Sequence, residues 1–296
     1  MQYLLGIFNL TMLIVITLIH GVPACLIGVV KLLTPVPKWQ HYLGQSIARM
    51  CQNWQVCCGW WIGNFAGVKY HLDVTDEFDV RGKYIAMPNH QSWVDILMFG
   101  PAFNYSAPPT KFFIKQEILW IPVIGFACWA GDMPFMKRYS KEKLAKHPEL
   151  KGKDVETTRK SCAKFRDHPA MVVNYCEGTR FRPEKHAKQA SPYKNLLMPR
   201  AGGIAYAIQA LEDQLDGFVD MDIIYGPERV ELWELCCGRA SDIYITVRVI
   251  PMQEWFKGQS YGDDPTYRSR FQQWLSDVWQ AKDQAISAKK QQINLM

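Results

Sequence analysis

The sequence lacks the patterns that mark several common protein classes. None of its nine cysteines belongs to a Cys-x-x-Cys pair or to the Cys/His spacing of a zinc site, so we expect no structural metal centre. An odd number of cysteines with two adjacent pairs is not typical of a disulfide framework, and we expect the folded part in a reducing compartment. There are also no internal repeats and no low-complexity segments. Solenoids and compositionally disordered chains are therefore excluded.

Charge is absent from a long stretch near the start of the chain. Residues 3–30 contain no Lys, Arg, Asp or Glu. As one helix, residues 4–30 would be ~40 Å long, against a bilayer hydrocarbon core of ~30 Å. The segment can cross a membrane with some tilt, or bend at Gly21-Val22-Pro23. A cleaved signal peptide is disfavoured, because no basic residue precedes the apolar run.

The region that follows keeps an aromatic character. Residues 42–68 contain three tryptophans and one phenylalanine among scattered polar side chains, a pattern that predicts an interfacial helix able to pair with the first. An aromatic core helix would have the same pattern. We expect residues 1–68 to form a membrane-anchoring unit and residues 69–296 to form the main domain.

Positive charge is unevenly distributed over the chain. The first positive side chains, Lys31, Lys38 and Arg49, follow the apolar run, which predicts that the main domain faces the cytoplasm. The formal net charge is +6, whereas residues 137–166 alone carry eleven Lys/Arg and four Asp/Glu, a net +7, so the rest of the chain sums to −1. Such a block suits an anionic membrane surface or a phosphate-rich ligand, although a solvated helical surface has the same composition. We expect no nucleic-acid partner, because no nucleic-acid-binding motif accompanies the charge.

Hydrophobic patterning predicts alternating strands and helices in the main domain. Apolar runs bounded by turn residues predict strands at residues 84–87, 112–114, 171–176, 219–225 and 243–250. Helices are predicted at residues 92–99, 155–166, 203–211 and 265–289. The alternation favours an α/β fold with a central mixed sheet covered by helices.

The stretch Asn89-His90-Gln91-Ser92-Trp93-Val94-Asp95 follows the first predicted strand. Pro88-Asn89 ends that strand, so His90 lies at a carboxyl strand end, where open α/β sheets bind ligands. After it we predict a short helix that Gly100-Pro101 stops. With His90 in the turn and Asp95 in the first helical turn, the carboxylate can hold one ring nitrogen and leave the other as a base.

The same residues also allow a purely structural interpretation. Ser92 and Asp95 have the spacing of a capping box, in which Asp95 only stabilises the start of the helix. A hydrolase with a serine or cysteine nucleophile is one rival class. Ser92 precedes a helix instead of topping a strand-to-helix turn, Cys176 ends a predicted strand, and we expect no Gly-x-Ser-x-Gly elbow. A membrane scaffold without catalysis is the other rival.

A second polar turn, Glu177-Gly178-Thr179-Arg180, follows the predicted strand at residues 171–176. Glycine lets a backbone approach a ligand, threonine offers a hydroxyl, and arginine can bind a phosphate with two hydrogen bonds. Glu177 can orient Arg180 or bind a ligand hydroxyl. An ordinary turn with a surface ion pair would have the same sequence.

Four stretches, in this order, resemble the motifs of the glycerolipid acyltransferase family, whose members acylate lysophosphatidic acid and related lysophospholipids. Residues 89–95 match Asn-His-x-Ser-x-x-Asp, residues 177–180 match Glu-Gly-Thr-Arg, and Pro199 matches a proline before a small-residue turn. The remaining motif, a lysine-glutamate element followed by Pro-x-x-Gly and Phe-x-x-Arg, is matched by Lys115, Glu117, Pro122, Gly125, Phe135 and Arg138. Residues 177–186 are similar to the branch that contains lysocardiolipin-type acyltransferases and related bacterial inner-membrane proteins.

The resemblance implies a mechanism. His90 would act as the general base on a glycerol hydroxyl, and Asp95 would orient it. The hydroxyl would attack the thioester of acyl-CoA or acyl carrier protein, without a cofactor, a metal or a covalent enzyme intermediate. A backbone amide near Asn89 or Gly178 would bind the oxyanion. The residues implied to contact the acceptor and its phosphate are Glu177, Gly178, Thr179, Arg180, Lys115, Arg138 and Asn89.

The resemblance also implies the partners and the location of the chain. The expected acceptor is 1-acyl-sn-glycerol 3-phosphate, with lysophosphatidylglycerol and lysocardiolipin as alternatives. The phospholipid bilayer is a further partner. The expected location is the bacterial inner membrane, with the catalytic domain on the cytoplasmic side.

Overall fold

The computed structural model of the protein describes residues 1–136, 168–211, 214–226 and 230–294. The helices are α1 Gln2–Leu33, α2 Pro37–Phe65, α3 Phe99–Phe103, α4 Ile124–Ala130, α5 Pro183–Gln189, α6 Ala201–Leu211, α7 Leu232–Cys236 and α8 Pro265–Asn294. The strands are β1 Lys69–Val74, β2 Lys83–Pro88, β3 Thr110–Phe112, β4 Ile114–Lys115, β5 Phe135–Met136, β6 Ala170–Val173, β7 Gly217–Tyr225 and β8 Asp242–Pro251. Short 3₁₀ helices span Val94–Ile96, Gln116–Trp120 and Glu254–Phe256.

The main sheet is mixed, as the sequence predicts. Over the described ranges its strand order is β1-β8-β7-β2-β6-β3. Strands β7, β2, β6 and β3 are mutually parallel, whereas β8 is antiparallel to β7 and parallel to β1. The carboxyl ends of four neighbouring strands therefore meet at one edge of the sheet. In parallel sheets this is the edge at which ligands bind.

Alternate residues of the central strands contribute to separate hydrophobic cores on the two faces of the sheet. Ala86 and Met221 pack with side chains of α2 and α3 in one core, while Ile85 and Phe218 pack with side chains of α6 and α8 in the other. The central strands are buried on both faces, which explains their nearly continuous apolar sequence. The predicted helices at residues 203–211 and 265–289 are confirmed as α6 and α8.

The two N-terminal helices pack against each other and against the domain that follows. The indole of Trp54 donates to the Thr17 hydroxyl (3.0 Å), and the indole of Trp61 donates to the side-chain oxygen of Asn9 (3.1 Å). These bonds confirm the predicted pairing of the helices. α1 is one continuous helix through Pro23, and it is long and apolar enough to cross a membrane.

Several predicted boundaries differ from the structure. The strand predicted at residues 171–176 ends at Val173, because the amide of Gly178 donates back to the Tyr175 carbonyl and closes a turn (2.8 Å). The strand predicted at residues 112–114 ends at Phe112, and Ile114–Lys115 pairs with β5 in a separate two-stranded sheet. β1 was not predicted, because its side chains are mostly exposed and its sequence has no apolar run. The helix predicted at residues 155–166 lies outside the described residues.

The helix predicted at residues 92–99 is a 3₁₀ turn followed by α3, and Gly100-Pro101 is not a stop. Both residues lie in the first turn of α3, where a missing proline amide costs no helical hydrogen bond. Glycine is needed because α2 passes close by. A Cβ at position 100 would lie 2.1 Å from the Gln55 carbonyl oxygen. The Gly-Pro pair is therefore a packing feature at a helix start.

Candidate active site

The predicted pair meets at the carboxyl end of β2. Nδ1 of His90 lies 2.8 Å from Oδ2 of Asp95, and the His90 side chain is 19% exposed. The Asp95 side chain is fully buried, and its Oδ2 also accepts from the amides of Gln91 (2.7 Å) and Ser92 (3.0 Å). An ionised carboxylate can only accept hydrogen bonds, so Nδ1 carries the proton and Nε2 presents a lone pair.

Asp95 also holds the backbone of the turn that contains His90. The carboxylate accepts from the Ser92 amide, and the Ser92 hydroxyl accepts from the amide of Val94 (3.2 Å). The predicted capping box is not formed, because the N-cap residue of the 3₁₀ helix is Trp93, which makes no side-chain cap bond. The same Asp95 oxygen holds the His90 imidazole. One buried carboxylate therefore fixes the turn and the base together.

A tyrosine that the sequence did not single out completes the support of Asp95. The hydroxyl of Tyr225, the last residue of β7, donates to Asp95 Oδ1 at 2.6 Å. Burial and the neighbouring Asp95 carboxylate raise the pKa of Tyr225 well above its usual value, so the hydroxyl keeps its proton and remains a donor. Asp95 thus accepts four hydrogen bonds in a dry site. A polar-tipped aromatic residue ending a parallel strand was the available sequence signal.

A second tyrosine supports the face of the imidazole. The rings of Tyr175 and His90 stack, with centroids 4.0 Å apart and planes inclined by 26°. Asp95 at the ring edge and Tyr175 at the ring face together restrict the orientation of His90. Nε2 of His90 has no protein partner among the described residues, and this nitrogen is the one available to a substrate hydroxyl.

Glu177 acts as a buried tie between loops. One carboxylate oxygen accepts from the His90 amide (2.9 Å) and the other from the Leu197 amide (3.0 Å), and the residue has no exposed surface. Burial raises the pKa of Glu177 to about 8, against the opposing effect of those two backbone hydrogen bonds. The family resemblance implies that Glu177 contacts the acceptor, yet both of its carboxyl oxygens accept hydrogen bonds from the protein itself.

A buried charge cluster lies on the other face of the sheet. Lys282 of α8 is fully buried and contacts Asp220 (2.6 Å) and Asp222 (2.8 Å) of β7, and Arg248 contacts both carboxylates from β8. Burial alone would lower the pKa of Lys282, but the two carboxylates outweigh it and raise that pKa. Two cations and two anions compensate each other there. The cluster ties α8 to the strand that ends in Tyr225.

The turn after Glu177 carries the predicted phosphate-binding residues. Gly178 has a φ of +70°, which other residues rarely adopt. The Arg180 guanidinium lies over the Trp93 indole, 4.7 Å from its centroid, and 4.0 Å from the Glu231 carboxylate. Arg182, which the sequence analysis passed over, reaches the same carboxylate at 3.8 Å. Two arginines and an aromatic surface therefore border the site.

The other predicted residues have different positions. Asn89 is buried and holds β7 through both polar atoms of its side chain, which bond the amide (2.8 Å) and carbonyl (2.9 Å) of Ile223. The backbone amide of Asn89 donates to the Met221 carbonyl, and the backbone amide of Gly178 donates to the Tyr175 carbonyl. The backbone amides of Asn89 and Gly178 themselves are therefore already bonded within the protein. Lys115 is exposed in β4, and Arg138 lies outside the described residues.

The features expected of a hydrolase are not assembled. Contrary to the expectation from the sequence, Gly258–Gly262 does match Gly-x-Ser-x-Gly. Its Ser260 follows a 3₁₀ helix and donates to Asp263 (2.6 Å), so it does not top a strand. Burial raises the pKa of Cys176 to about 12, which keeps that thiol protonated. No group of three His, Cys, Asp or Glu side chains in the described ranges could hold a metal ion.

The chain is similar in sequence to proteins of known families. The sequence model described as Acyltransferase matches residues 71–225. The chain is 26% identical to 1-acyl-sn-glycerol-3-phosphate acyltransferase gamma of Mus musculus over 62% of its own length and 46% of that protein. It is 23% identical to 2-acyl-1-lysophosphatidylinositol acyltransferase of Saccharomyces cerevisiae over 69% of its own length and 60% of that protein.

The fold also has a solved counterpart. The crystal structure of the 1-acyl-sn-glycerophosphate acyltransferase PlsC from Thermotoga maritima superimposes with a TM-score of 0.54, covering 97% of this chain and 95% of that one at 12% identity. The family match spans more than half of the chain and contains both motifs that meet at His90. The chain therefore belongs to the acyltransferase family.

Proposed function

We propose that the protein transfers a fatty acyl group from a thioester to the free hydroxyl of a lysophospholipid. His90 Nε2 takes the proton of the acceptor hydroxyl, whose oxygen attacks the carbonyl carbon of the acyl-CoA or acyl carrier protein. The tetrahedral intermediate expels the thiolate, which takes the proton back from the imidazolium. The products are an ester-linked phospholipid and a free thiol, with no covalent enzyme intermediate.

The observation that carries this proposal is the set of contacts around the two catalytic groups. Asp95 holds the Nδ1–H of His90 and lies in a dry site, where its negative charge stabilises the imidazolium that forms during proton transfer. Tyr225 and two backbone amides keep the carboxylate fixed. A base that is already in the correct tautomer needs no rearrangement when the hydroxyl arrives.

The acceptor phosphate is assigned to the arginines that border the site. Arg180 is partly exposed, and Trp93 holds its guanidinium from one side. Phosphate binds arginine through two parallel hydrogen bonds and is a stronger competitor than a single carboxylate at 4.0 Å. Glu231 would then be displaced from Arg180 and Arg182 when a phosphorylated acceptor binds. We expect 1-acyl-sn-glycerol 3-phosphate to be preferred, since the curated relatives include enzymes named for it.

We assign the oxyanion of the intermediate to the turn formed by Glu177-Gly178-Thr179-Arg180. The turn is attached to His90 at both ends, through the Glu177 carboxylate on the His90 amide and through the Phe181 amide on the His90 carbonyl (2.7 Å). Between these two bonds lie the amides of Thr179 and Arg180, which have no acceptor among the described residues. Unpaired amides beside the base are suitable donors for a developing negative charge.

Attachment to the bilayer is assigned to α1. Its exposed side is apolar from Leu4 to Leu33, and its other side is covered by protein along much of the same length. Gly6 packs against Trp233, and Gly28 packs against Phe126. α1 therefore packs along the domain over much of its length and does not protrude from it as an isolated helix. We place the domain on the cytoplasmic face of a bacterial inner membrane, where acyl-CoA and acyl carrier protein are found.

The test is a panel of acceptors presented to the purified full-length protein. Radiolabelled acyl-CoA is mixed with lysophosphatidic acid, lysophosphatidylglycerol, lysocardiolipin or glycerol 3-phosphate, and the labelled lipid is measured. The His90→Ala variant supplies the background. We expect transfer to lysophosphatidic acid to be fastest. Transfer to none of the four, with CoA and with acyl carrier protein as donors, would favour the scaffold interpretation.

A further inference from the structure

A second uncharged stretch of the chain lies beside α1. Residues 118–131 contain no Lys, Arg, Asp or Glu. They comprise the end of the 3₁₀ helix Gln116–Trp120, a turn, and α4. Two tryptophans lie within this stretch, Trp120 and Trp129. Nothing in the catalytic arrangement around His90 uses either of them.

The stretch exposes large apolar side chains instead of burying them. Trp120 is 83% exposed, and Ile121, Ile124 and Trp129 are each about two-fifths exposed. Single exposed apolar residues are common, but four within ten positions form a patch that needs a partner. Tryptophan at both ends is the composition that favours the boundary between lipid tails and head groups.

Its turn is held against α1 by an unusual backbone conformation. Val123 has a φ of +65°, a strained value for a β-branched residue. The strain is compensated by a close contact, because a Cβ on Gly21 of α1 would lie 2.6 Å from the Val123 side chain. The exposed residues Ile121 and Ile124 on either side of Val123 are therefore adjacent to α1.

The two uncharged stretches end at the same place. The uncharged part of α1 ends at Lys31 and the second stretch ends before Asp132, and these two charges form an ion pair at 2.5 Å. Lys31 also donates to the carbonyl of Ala130, the last residue of α4 (2.8 Å). A shared polar boundary indicates that the two apolar surfaces lie at the same depth in one environment.

We propose that residues 118–131 form a second membrane-contacting surface, which inserts Trp120 and Trp129 into the head-group region of the bilayer alongside α1. A protein partner fits less well, because the patch itself contains no charged residue and continues into the apolar side of α1. The inference rests on the proposed function only in placing the protein at a bilayer. It adds that the catalytic domain itself, and not only its N-terminal helices, enters the lipid.

The test is lipid photolabelling of the full-length protein in phosphatidylcholine/phosphatidylglycerol vesicles. Photoreactive benzoylphenylalanine replaces Trp120 in one variant, Leu26 of α1 in a second and Glu254 in a third. Glu254 is the matched control, because its side chain is 88% exposed and it also lies in a short 3₁₀ helix, but that helix packs through Phe256 with the core on the opposite face of the sheet. We expect at least about tenfold more lipid adduct at positions 120 and 26 than at 254.

Adduct at position 26 without adduct at position 120 would overturn the inference and leave membrane attachment through α1 intact. Labelling needs no turnover, so the result is independent of the acyl-transfer proposal. A second variant, Trp120→Ser with Trp129→Ser, gives a functional readout. We expect its rate on a vesicle-embedded acceptor to fall at least about threefold, and its rate on a detergent-dispersed acceptor to remain unchanged. Equal rates on both acceptors would also count against the proposal.

Discussion

Replacing Asp95 with asparagine separates the charge of this residue from its hydrogen bonds. In Asp95→Asn, the amide oxygen can take the position of Oδ2 and accept from Gln91, Ser92 and His90. The amide nitrogen then faces the Tyr225 hydroxyl, which can rotate and accept. All four contacts survive. Without the carboxylate charge, each of these hydrogen bonds is weaker by about 1 kcal/mol. The loss is partly offset because the asparagine variant no longer buries a charge.

The expected effects on stability and rate therefore differ widely. A net loss of about 1–3 kcal/mol lowers the melting temperature by several degrees in a domain of this size. The imidazolium, however, loses the negative charge of the carboxylate bonded to its Nδ1, and a comparable change in a catalytic triad reduces the rate by up to ~10⁴. The measurement is initial acylation rate per folded molecule beside melting temperature.

Two controls make the result interpretable. Asp95→Ala removes the carboxylate that accepts from the amides of Gln91 and Ser92, at about 1–3 kcal/mol for each bond, so we expect this variant to lose activity by losing stability. Ser92→Ala removes only the acceptor of the Val94 amide, at about 1 kcal/mol, and should keep most activity. If Asp95→Asn retained more than about a tenth of the wild-type rate, the charge would not matter and the reasoning would be refuted.

Three further substitutions test the rest of the site. Tyr225→Phe should lower kcat about three- to tenfold with little change in KM, because Asp95 loses one of the donors that hold it in place against His90; an unchanged kcat would give Tyr225 a packing role only. Arg180→Ala should raise the KM of a phosphorylated acceptor at least about tenfold and leave that of the donor unchanged, whereas the opposite pattern would assign Arg180 to CoA. Glu177 has a folded-state pKa of about 8 against an ordinary value of 4.5, so the native state binds this proton more tightly and its contribution to stability falls as pH rises between these values. Glu177→Gln should lack that part of the pH dependence of the melting temperature, and an identical slope in both proteins would contradict it.

The sequence was sufficient for the parts of the fold that have strong local patterns. The apolar runs of β2 and β7 and the stripe of α8 are confirmed as core elements, because their side chains alternate or recur toward a buried face. β1 escaped prediction because it is an exposed edge strand that pairs with β8, whose residues lie far along the chain, as Lys69 with Asp242 shows. Its existence depends on a partner that no local pattern reveals.

The part of the site that could be predicted is the part whose residues are close together in the sequence. His90 and Asp95 meet because a turn and a 3₁₀ helix bring residues five apart together. Tyr225 reaches Asp95 only through the parallel pairing of β2 with β7, which requires the sheet order. The position of Glu177 also depends on the folded chain. The surrounding sequence suggests a ligand contact, but the buried carboxyl group accepts hydrogen bonds from the amides of His90 and Leu197.

The central claim is that His90 removes the proton from the acceptor hydroxyl, and the most direct measurement compares His90→Ala with the unaltered protein in the vesicle assay. The melting temperature and the vesicle-bound fraction of both proteins are measured first, to establish that the variant is folded and membrane-bound. We expect acyl transfer to lysophosphatidic acid to fall at least ~10²–10⁴-fold, with acceptor binding retained. A folded, membrane-bound His90→Ala protein that transfers acyl groups at a near-normal rate would contradict the account.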